Sequence, residues 1–148
     1  MTTATRTRWA EHALATLQAA GYRRGGARTA VVEALARHDC AVTALELDDE
    51  LRRRKPAVGR ASIYRALEQL AQHGLLRRIE VSKRIAGYER VEPGGEHHHH
   101  AICRSCGRMI PFEDASLERV IDRVSSRMSF DAAEHEVVIR GCCERCST

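Results

Sequence analysis

The chain has 148 residues, a formal net charge of +4 and 4% aromatic residues, enough for one domain or two small ones with cores of Leu, Val, Ile and Ala. No apolar run approaches the roughly 18 residues of a membrane span, and the N-terminal residues lack the apolar stretch of a signal peptide. Composition therefore argues against a membrane partner and predicts a cytoplasmic protein, in which six cysteines read as metal ligands before disulfides.

Apolar spacing predicts a run of helices. Ala13, Leu14 and Leu17 belong to one that ends at Gly21. Val31, Val32 and Leu35 belong to a second, opened around Gly25-Gly26 and finished near His38. Thr43 is the expected N-cap of a third, carrying Leu47 and Leu51 and ended by Pro56. Ser62 is the expected cap of a fourth, with Ile63, Leu67, Leu70 and Ala71 on one face and Gly74 closing it. Two extended runs, Leu76 to Val81 and Ile85 to Val91, flank the polar turn Ser82-Lys83-Arg84 and read as a hairpin.

The segment Glu92-Pro93-Gly94-Gly95-Glu96 reads as a hinge. Beyond it, His97 to Cys103 and Arg108 to Phe112 are expected strands. Asp114 is expected to cap a helix with the stripe Leu117, Val120, Ile121, Val124 and Met128, and His135 to Arg140 is expected as a last strand before Gly141. The predicted class is α+β: a winged helix-turn-helix over 1–91, a hinge over 92–96, and a small metal-binding α/β domain over 97–148. Charge follows the same division. Residues 1–93 hold 17 Lys/Arg against 11 Asp/Glu, and residues 94–148 hold 7 against 9. The front suits a polyanion such as DNA, and the back suits cations.

The ligand-bearing side chains carry most of the functional information. Cys103-Arg-Ser-Cys106 and Cys143-Glu-Arg-Cys146 each place two thiolates on a tight turn, and together they offer four sulfurs for a closed tetrahedral Zn²⁺ site. A closed site is structural, and its binding energy is folding energy. The competing reading is a redox-active CxxC pair. Directly before the first pair stand His97, His98, His99 and His100. On a strand, His97 and His99 face one side while His98 and His100 face the other, so one strand can serve two sites with partners drawn from Glu118, His135 and Glu89. Cys40 and Cys142 lie outside the CxxC pattern; Cys40 reads as a small buried residue.

The chain resembles the ferric uptake regulator family of bacterial metal-dependent repressors over nearly its whole length. In the front half the resemblance is carried by Arg28-Thr-Ala-Val-Val-Glu-Ala-Leu35, Val42-Thr-Ala-Leu-Glu-Leu47 and Ala61-Ser-Ile-Tyr-Arg-Ala-Leu67. In the back half it is carried by His97-His-His-His-Ala-Ile-Cys-Arg-Ser-Cys-Gly107 and Gly141-Cys-Cys-Glu-Arg-Cys146. It implies a homodimer joined through the C-terminal domain, with metal closing two winged helices onto a palindromic double-stranded DNA operator. It makes Cys103, Cys106, Cys143 and Cys146 the structural zinc ligands, and His97, His99, Glu118 and His135 one regulatory site for Zn²⁺ or Fe²⁺. The other regulatory site would use Glu89, His98 and His100. It is incomplete, because the usual fourth ligand, a His, is replaced by Ala41, for which His38 or Cys40 are candidate substitutes. His99 stands where iron-sensing members often carry Asp, which favours zinc. Pro111 stands where the family usually has an acidic residue, a ligand in a peroxide sensor. Against the zinc reading, the Cys ligand that zinc-sensing members often carry shortly before the histidines has no counterpart between Val81 and His97.

In a winged helix the fourth helix enters the major groove. Arg60, Ser62, Tyr64 and Arg65 lie at its start. By resemblance, Tyr64 meets thymine methyls and Arg65 a base edge or a phosphate, while Arg23, Arg24 and Arg28 reach the backbone or the minor groove. Lys83 and Arg84, at the wing tip, are placed for phosphates. The expected function is a metal-responsive transcriptional repressor of metal-uptake and homeostasis genes, zinc-sensing before iron-sensing. The alternatives are a peroxide- or redox-responsive regulator of the same fold, or a thiol-redox or zinc enzyme. An enzyme is not expected, because no HExxH or comparable motif supplies an open metal position and a base.

Overall fold

A computed structural model describes residues 3–93 and 97–147. The chain divides into two compact units, Met1–Glu96 and His97–Thr148. Within the expected hinge, Glu92 and Pro93 are described and residues 94–96 lie outside the described residues. No described helix is long and apolar enough to cross a membrane.

In the N-terminal unit, helices α1 (Thr3–Ala19), α2 (Gly26–Arg37), α3 (Ala44–Arg54) and α4 (Arg60–Gln72) precede the hairpin β2 (Leu76–Ser82) and β3 (Ile85–Arg90). A two-residue strand β1 (Val42–Thr43) pairs antiparallel with β3, completing a sheet of order β1-β3-β2. The core draws on every helix: Trp9, Ala13 and Leu17 from α1, Val31 and Leu35 from α2, Leu47 and Leu51 from α3, and Ile63, Leu67 and Leu70 from α4. Trp9, Ala13 and Leu17 recur every four residues, so the stripe of α1 begins one turn before the residues singled out from sequence.

Local chemistry sets the helix ends. Thr43 caps α3 with a full capping box. Its hydroxyl accepts from the Glu46 N–H at 3.2 Å while the Glu46 carboxylate accepts from the Thr43 N–H at 2.7 Å, satisfying two otherwise orphaned donors. The fourth helix corrects the sequence expectation. Ser62 is its third residue, and the chain enters through Gly59 with no side-chain cap. Ser62 instead accepts from Arg65 Nη2 at 3.3 Å. Gly74, at φ 68°, ends the helix in the left-handed region that favours glycine.

The C-terminal unit is a three-stranded sheet of order β5-β4-β6 with one helix. Strand β4 (His99–Cys103) is central, antiparallel to β5 (Met109–Phe112) and parallel to β6 (Val138–Gly141). Pro111 sits on β5, an edge strand, where its missing N–H is tolerated. Helix α5 (Ala115–Arg127) makes the crossover between β5 and β6 and is capped by Asp114, which accepts from Ser116 N–H at 2.7 Å and Leu117 N–H at 2.9 Å. Those two donors hold the Asp114 carboxyl below its ordinary range, Leu117 most. All three strands begin later than expected, β5 by one residue at Met109. β4 begins at His99, not His97, and β6 begins at Val138, so His135 lies on an irregular approach to the strand. Helix α5 buries none of its residues in a single chain, and Val120, Val124 and Met128 of its apolar stripe are 49%, 46% and 68% exposed.

Candidate metal centres and nucleic-acid interface

Parallel pairing of β4 with β6 sets Cys103 opposite Gly141, which brings the end of one CxxC segment beside the start of the other. Each CxxC closes a tight turn. The Gly107 N–H donates to the Cys103 carbonyl at 2.9 Å with Gly107 at φ 74°, and the Cys146 N–H donates to the Cys143 carbonyl at 2.8 Å. The four sulfurs of Cys103, Cys106, Cys143 and Cys146 lie within 4.8 Å of one another. Cys106 and Cys143 sulfurs are 3.8 Å apart. A tetrahedral ion with Zn–S bonds of about 2.3 Å requires S···S separations of about 3.8 Å, so the cluster has the size of a Zn²⁺ site. The Cys143 N–H, 3.4 Å from Cys103 Sγ, is the largest of several backbone donors that pull the Cys103 thiol down to about 6, favouring the thiolate that a metal needs. Neighbouring thiols, Cys143 foremost, push Cys146 up to about 12; four sulfurs this close resist joint ionisation without a cation. Cys142 lies apart, exposed, 3.7 Å from Ser105 Oγ.

The second cluster lies wholly in the same unit and joins β4 to α5 and to the approach to β6. Glu118, in the first turn of α5, lies 2.7 Å from His99 Nε2 through one carboxylate oxygen and 2.9 Å from His135 Nε2 through the other. His97 Nε2 is 3.2 Å from His135 Nε2 and 3.8 Å from Glu118. Zn–N bonds of about 2.05 Å in tetrahedral geometry require N···N separations of about 3.3 Å, and the four donors again fit one ion. The hydrogen bond from His99 is the largest influence holding the Glu118 carboxyl below its ordinary value, so an anionic oxygen is ready for a cation. His99 is buried at 1% exposure and Glu118 is 35% exposed.

The other two imidazoles stand apart from these, although only His99 and His100 of the four lie on β4. The His97 and His99 rings are 5.4 Å apart, and the His98 and His100 rings form a separate pair at 4.9 Å. His100 is fully buried. Glu89 belongs to the N-terminal unit, on β3 opposite Arg77, and is 7% exposed. Ala41 immediately precedes β1 and offers no donor.

The expected DNA-facing residues occupy the exposed side of α4 and its surroundings. While Ile63, Ala66, Leu67 and Leu70 are buried, Tyr64 is 46% exposed and Arg65 is exposed. Arg28 ties the start of α2 to α4. Its Nε donates to Gln69 Oε1 at 2.9 Å, its Nη1 donates to the Arg23 carbonyl, and its guanidinium lies 5.2 Å from the Tyr22 ring centroid. A cleft lined by Gly25, Arg28, Ser62 and Arg65 runs between the two helices. Lys83 and Arg84 form the two-residue turn of the β2–β3 hairpin and are exposed.

Arg60 has a role that its position in the sequence did not reveal. Both its Nε and Nη2 donate to Asp48 Oδ2, at 2.9 and 2.7 Å, and Arg52 Nη2 reaches the same oxygen at 3.2 Å. Asp48 is 2% exposed. Arg52 first, then Arg60, hold its carboxyl below the ordinary range. Arg60 therefore docks the start of α4 onto α3. The signal in the sequence was an Asp on the otherwise apolar face with Leu47 and Leu51.

A helix with an exposed Tyr64 and Arg65, joined in one chain to clusters of thiolate, imidazole and carboxylate donors, accords with the class to which the family match assigns this chain, the metal-responsive transcriptional regulators. The chain belongs to the ferric uptake regulator family, whose sequence profile matches residues 19–140. It is 35% identical over 131 residues to a zinc uptake regulation protein of Mycobacterium tuberculosis, covering 88% of this chain and 98% of that protein. It is 37% identical over 121 residues to the transcriptional regulator FurA of the same organism, covering 81% and 80%. Among solved structures, the Helicobacter pylori ferric uptake regulator, described as having three functional metal binding sites, superposes with a TM-score of 0.85 at 25% identity, covering 97% of this chain and 95% of that one. The Vibrio cholerae ferric uptake regulator gives 0.77 at 26% identity, covering 86% and 96%. The family consists of regulators and not enzymes, so the thiol-redox and hydrolase readings fall away.

Proposed function

We propose that this protein is a zinc-responsive repressor of metal-uptake and homeostasis genes, acting in the cytoplasm as a homodimer on a palindromic operator. The observation that carries the reading is the His97, His99, Glu118 and His135 cluster. Its three nitrogens and one carboxylate, at tetrahedral spacing, match four-coordinate Zn²⁺; a single carboxylate, with no further donor grouped with it among the described residues, suits octahedral Fe²⁺ less well. The 35% identity to a zinc uptake regulation protein supports the same choice.

Under this reading Cys103, Cys106, Cys143 and Cys146 hold a structural Zn²⁺. Residues 1–91 are the DNA-binding domain, 92–96 the hinge, and 97–148 the metal-binding and dimerisation domain. The exposed stripe of Val120, Val124 and Met128 on α5 supports dimerisation, since a face of that kind on a lone chain calls for a partner. Tyr64 and Arg65 read the major groove with Ser62 beside them, Arg23 and Arg28 meet the backbone, and Arg60 sets the angle of the recognition helix through Asp48. A second regulatory site takes Glu89 from the N-terminal domain and His98 and His100 from the C-terminal one. Ligands drawn from both domains let metal favour the DNA-competent dimer, by as much as metal binds that state more tightly than the open one.

The test is a titration of operator binding with Zn²⁺, Fe²⁺ and Mn²⁺ in turn, with bound metal counted per subunit. Zinc is expected to raise operator affinity at lower free concentration than the other ions. Equal responses to zinc and iron would overturn the zinc assignment.

A further inference from the structure

The contact that docks α4 onto α3 holds more positive charge than docking requires. Asp48 Oδ2 accepts from Arg60 Nε at 2.9 Å and Nη2 at 2.7 Å, and Arg52 Nη2 lies 3.2 Å from the same oxygen. One guanidinium would satisfy that oxygen, yet two converge on it. The Asp48 side chain is 3% exposed, whereas those of Arg52 and Arg60 are 59% and 57% exposed. The negative charge therefore lies behind and the two positive charges in front, leaving one of them uncompensated at the surface. Each guanidinium has five N–H donors in a planar fork, and among the described residues neither arginine bonds an acceptor other than Asp48.

Local rules argue against this arrangement as a device for stability alone. Arg60 is the first residue of α4, a helix with no side-chain cap and no acidic residue in its first turn. The backbone N–H groups at that end carry a positive partial charge, which disfavours a cation there and favours an anion. Asp48 offsets this from α3 with one carboxylate. Arg52, one helical turn along α3 from Asp48, then restores the charge that the carboxylate removed, and a mostly solvated partner adds little to stability. Arg60 also precedes Tyr64 by four residues, so both lie along one exposed side of α4. The guanidinium pair thus stands at the N-terminal edge of the surface that carries Tyr64.

We propose that Arg52 and Arg60 form a two-guanidinium clamp for one DNA backbone phosphate, with the buried Asp48 as the positioning residue that holds both forks outward. The proposal rests on the reading of α4 as the helix that enters the groove. Arginine suits the task because its planar fork meets two phosphate oxygens at once. A fork already fixed on a buried carboxylate also loses less freedom on binding than a free one. The contact carries no sequence information; it sets the register of the helix on the duplex and leaves base discrimination to Tyr64 and Arg65.

The test measures binding of the full-length, zinc-loaded protein to an operator duplex and to a duplex of unrelated sequence as salt is raised. Arg52→Gln should weaken both by the same factor and reduce the salt slope by about one for each bound subunit. Asp48→Asn separates positioning from neutralisation. If the carboxylate only masks the arginines, removing its charge tightens DNA binding; if it positions them, binding weakens despite the added positive charge. The expected result is weaker binding of both duplexes by Asp48→Asn protein with wild-type zinc content and far-ultraviolet spectrum. Gln is a good helix former at a mostly solvated position, so Arg52→Gln keeps the test decisive even where Asp48→Asn unfolds. An unchanged salt slope in Arg52→Gln, or tighter binding by folded Asp48→Asn, overturns the clamp while a loss of operator affinity in Arg65→Ala leaves the groove reading of α4 standing. If Arg65→Ala and Arg52→Gln both leave the binding of both duplexes unchanged, the groove reading itself fails, and the clamp with it.

Discussion

Removing one sulfur of the four-cysteine cluster is expected to cost the C-terminal unit its fold and leave the N-terminal unit standing. Among the described residues of that unit, the buried apolar side chains are Ile102, at 2% exposure, and Cys103, at 4%. A fully buried Ile contributes about 1.5–3 kcal/mol. A structural Zn²⁺ in a zinc-finger site contributes on the order of 10–16 kcal/mol, so the ion and not the core dominates. The geometry explains the concentration of stability at this point. Cys103 ends β4 and Cys143 follows β6, so an ion held by the four sulfurs would tie the C-terminal segment to the central strand. Cys143→Ser should therefore abolish the structural zinc and remove the cooperative unfolding transition of the C-terminal unit. The transition of the N-terminal unit, whose core runs from Trp9 to Leu76, should remain. Denaturant titration followed by far-ultraviolet circular dichroism, with zinc counted on the same samples, reads both. A zinc-free Cys143→Ser protein that retains two cooperative transitions at wild-type midpoints would refute the reasoning.

Further consequences can be checked in parallel. Arg65→Ala should weaken operator binding by about 1–3 kcal/mol if it reads a base, whereas a phosphate contact would lower the salt slope by roughly one for every sequence; unchanged binding of both specific and nonspecific DNA would remove Arg65 from the interface. Val124→Asp, on the exposed face of α5, should shift the protein from dimer to monomer in sedimentation without unfolding it, and an unchanged dimer would assign the interface to another face. Asp39 is held below its ordinary pKa, first by the hydrogen bond from Arg6. Its folded value lies below its unfolded one, so its stabilisation is present above about pH 4 and is lost as pH falls through the folded value. Because the pair is largely exposed, the effect is about 0.2–1 kcal/mol. Asp39→Asn should flatten that portion of the acid limb of a stability curve, and an unaltered limb would show that the pair contributes nothing.

Much of this architecture could be read from spacing because its determinants are local. Helix periodicity, the Thr43 and Asp114 caps and the polar turn at Ser82-Lys83-Arg84, of which Ser82 proves to end β2, each depend on residues within a few positions of one another. Strand parity in the four-histidine segment likewise needed only alternation, and the rings pair as 97 with 99 and 98 with 100. The failures were of two kinds. Ser62 is a good capping residue in the wrong place, because the turn after Pro56 delivers the chain to α4 through Gly59. Long-range placement was the other. Asp48 meets Arg60 across 12 residues and Arg6 meets Asp39 across 33, and no period in the sequence announces such pairs. Cys40 read as a small buried residue and is half-buried, with its sulfur near Glu89 across nearly fifty residues. The metal clusters were legible for a different reason. Thiolates and imidazoles in such density are costly to place near one another without an ion, so their presence already implies one.

The central claim, that metal at the histidine sites governs DNA binding, is tested most directly by measuring operator affinity before and after a chelator mild enough to spare the four-cysteine zinc. The account predicts a fall in affinity on chelation, its recovery on adding Zn²⁺, and no recovery in His98→Ala or Glu118→Gln protein that retains its structural zinc. Equal operator affinity with and without the chelator, at a confirmed loss of the regulatory ions, would contradict it.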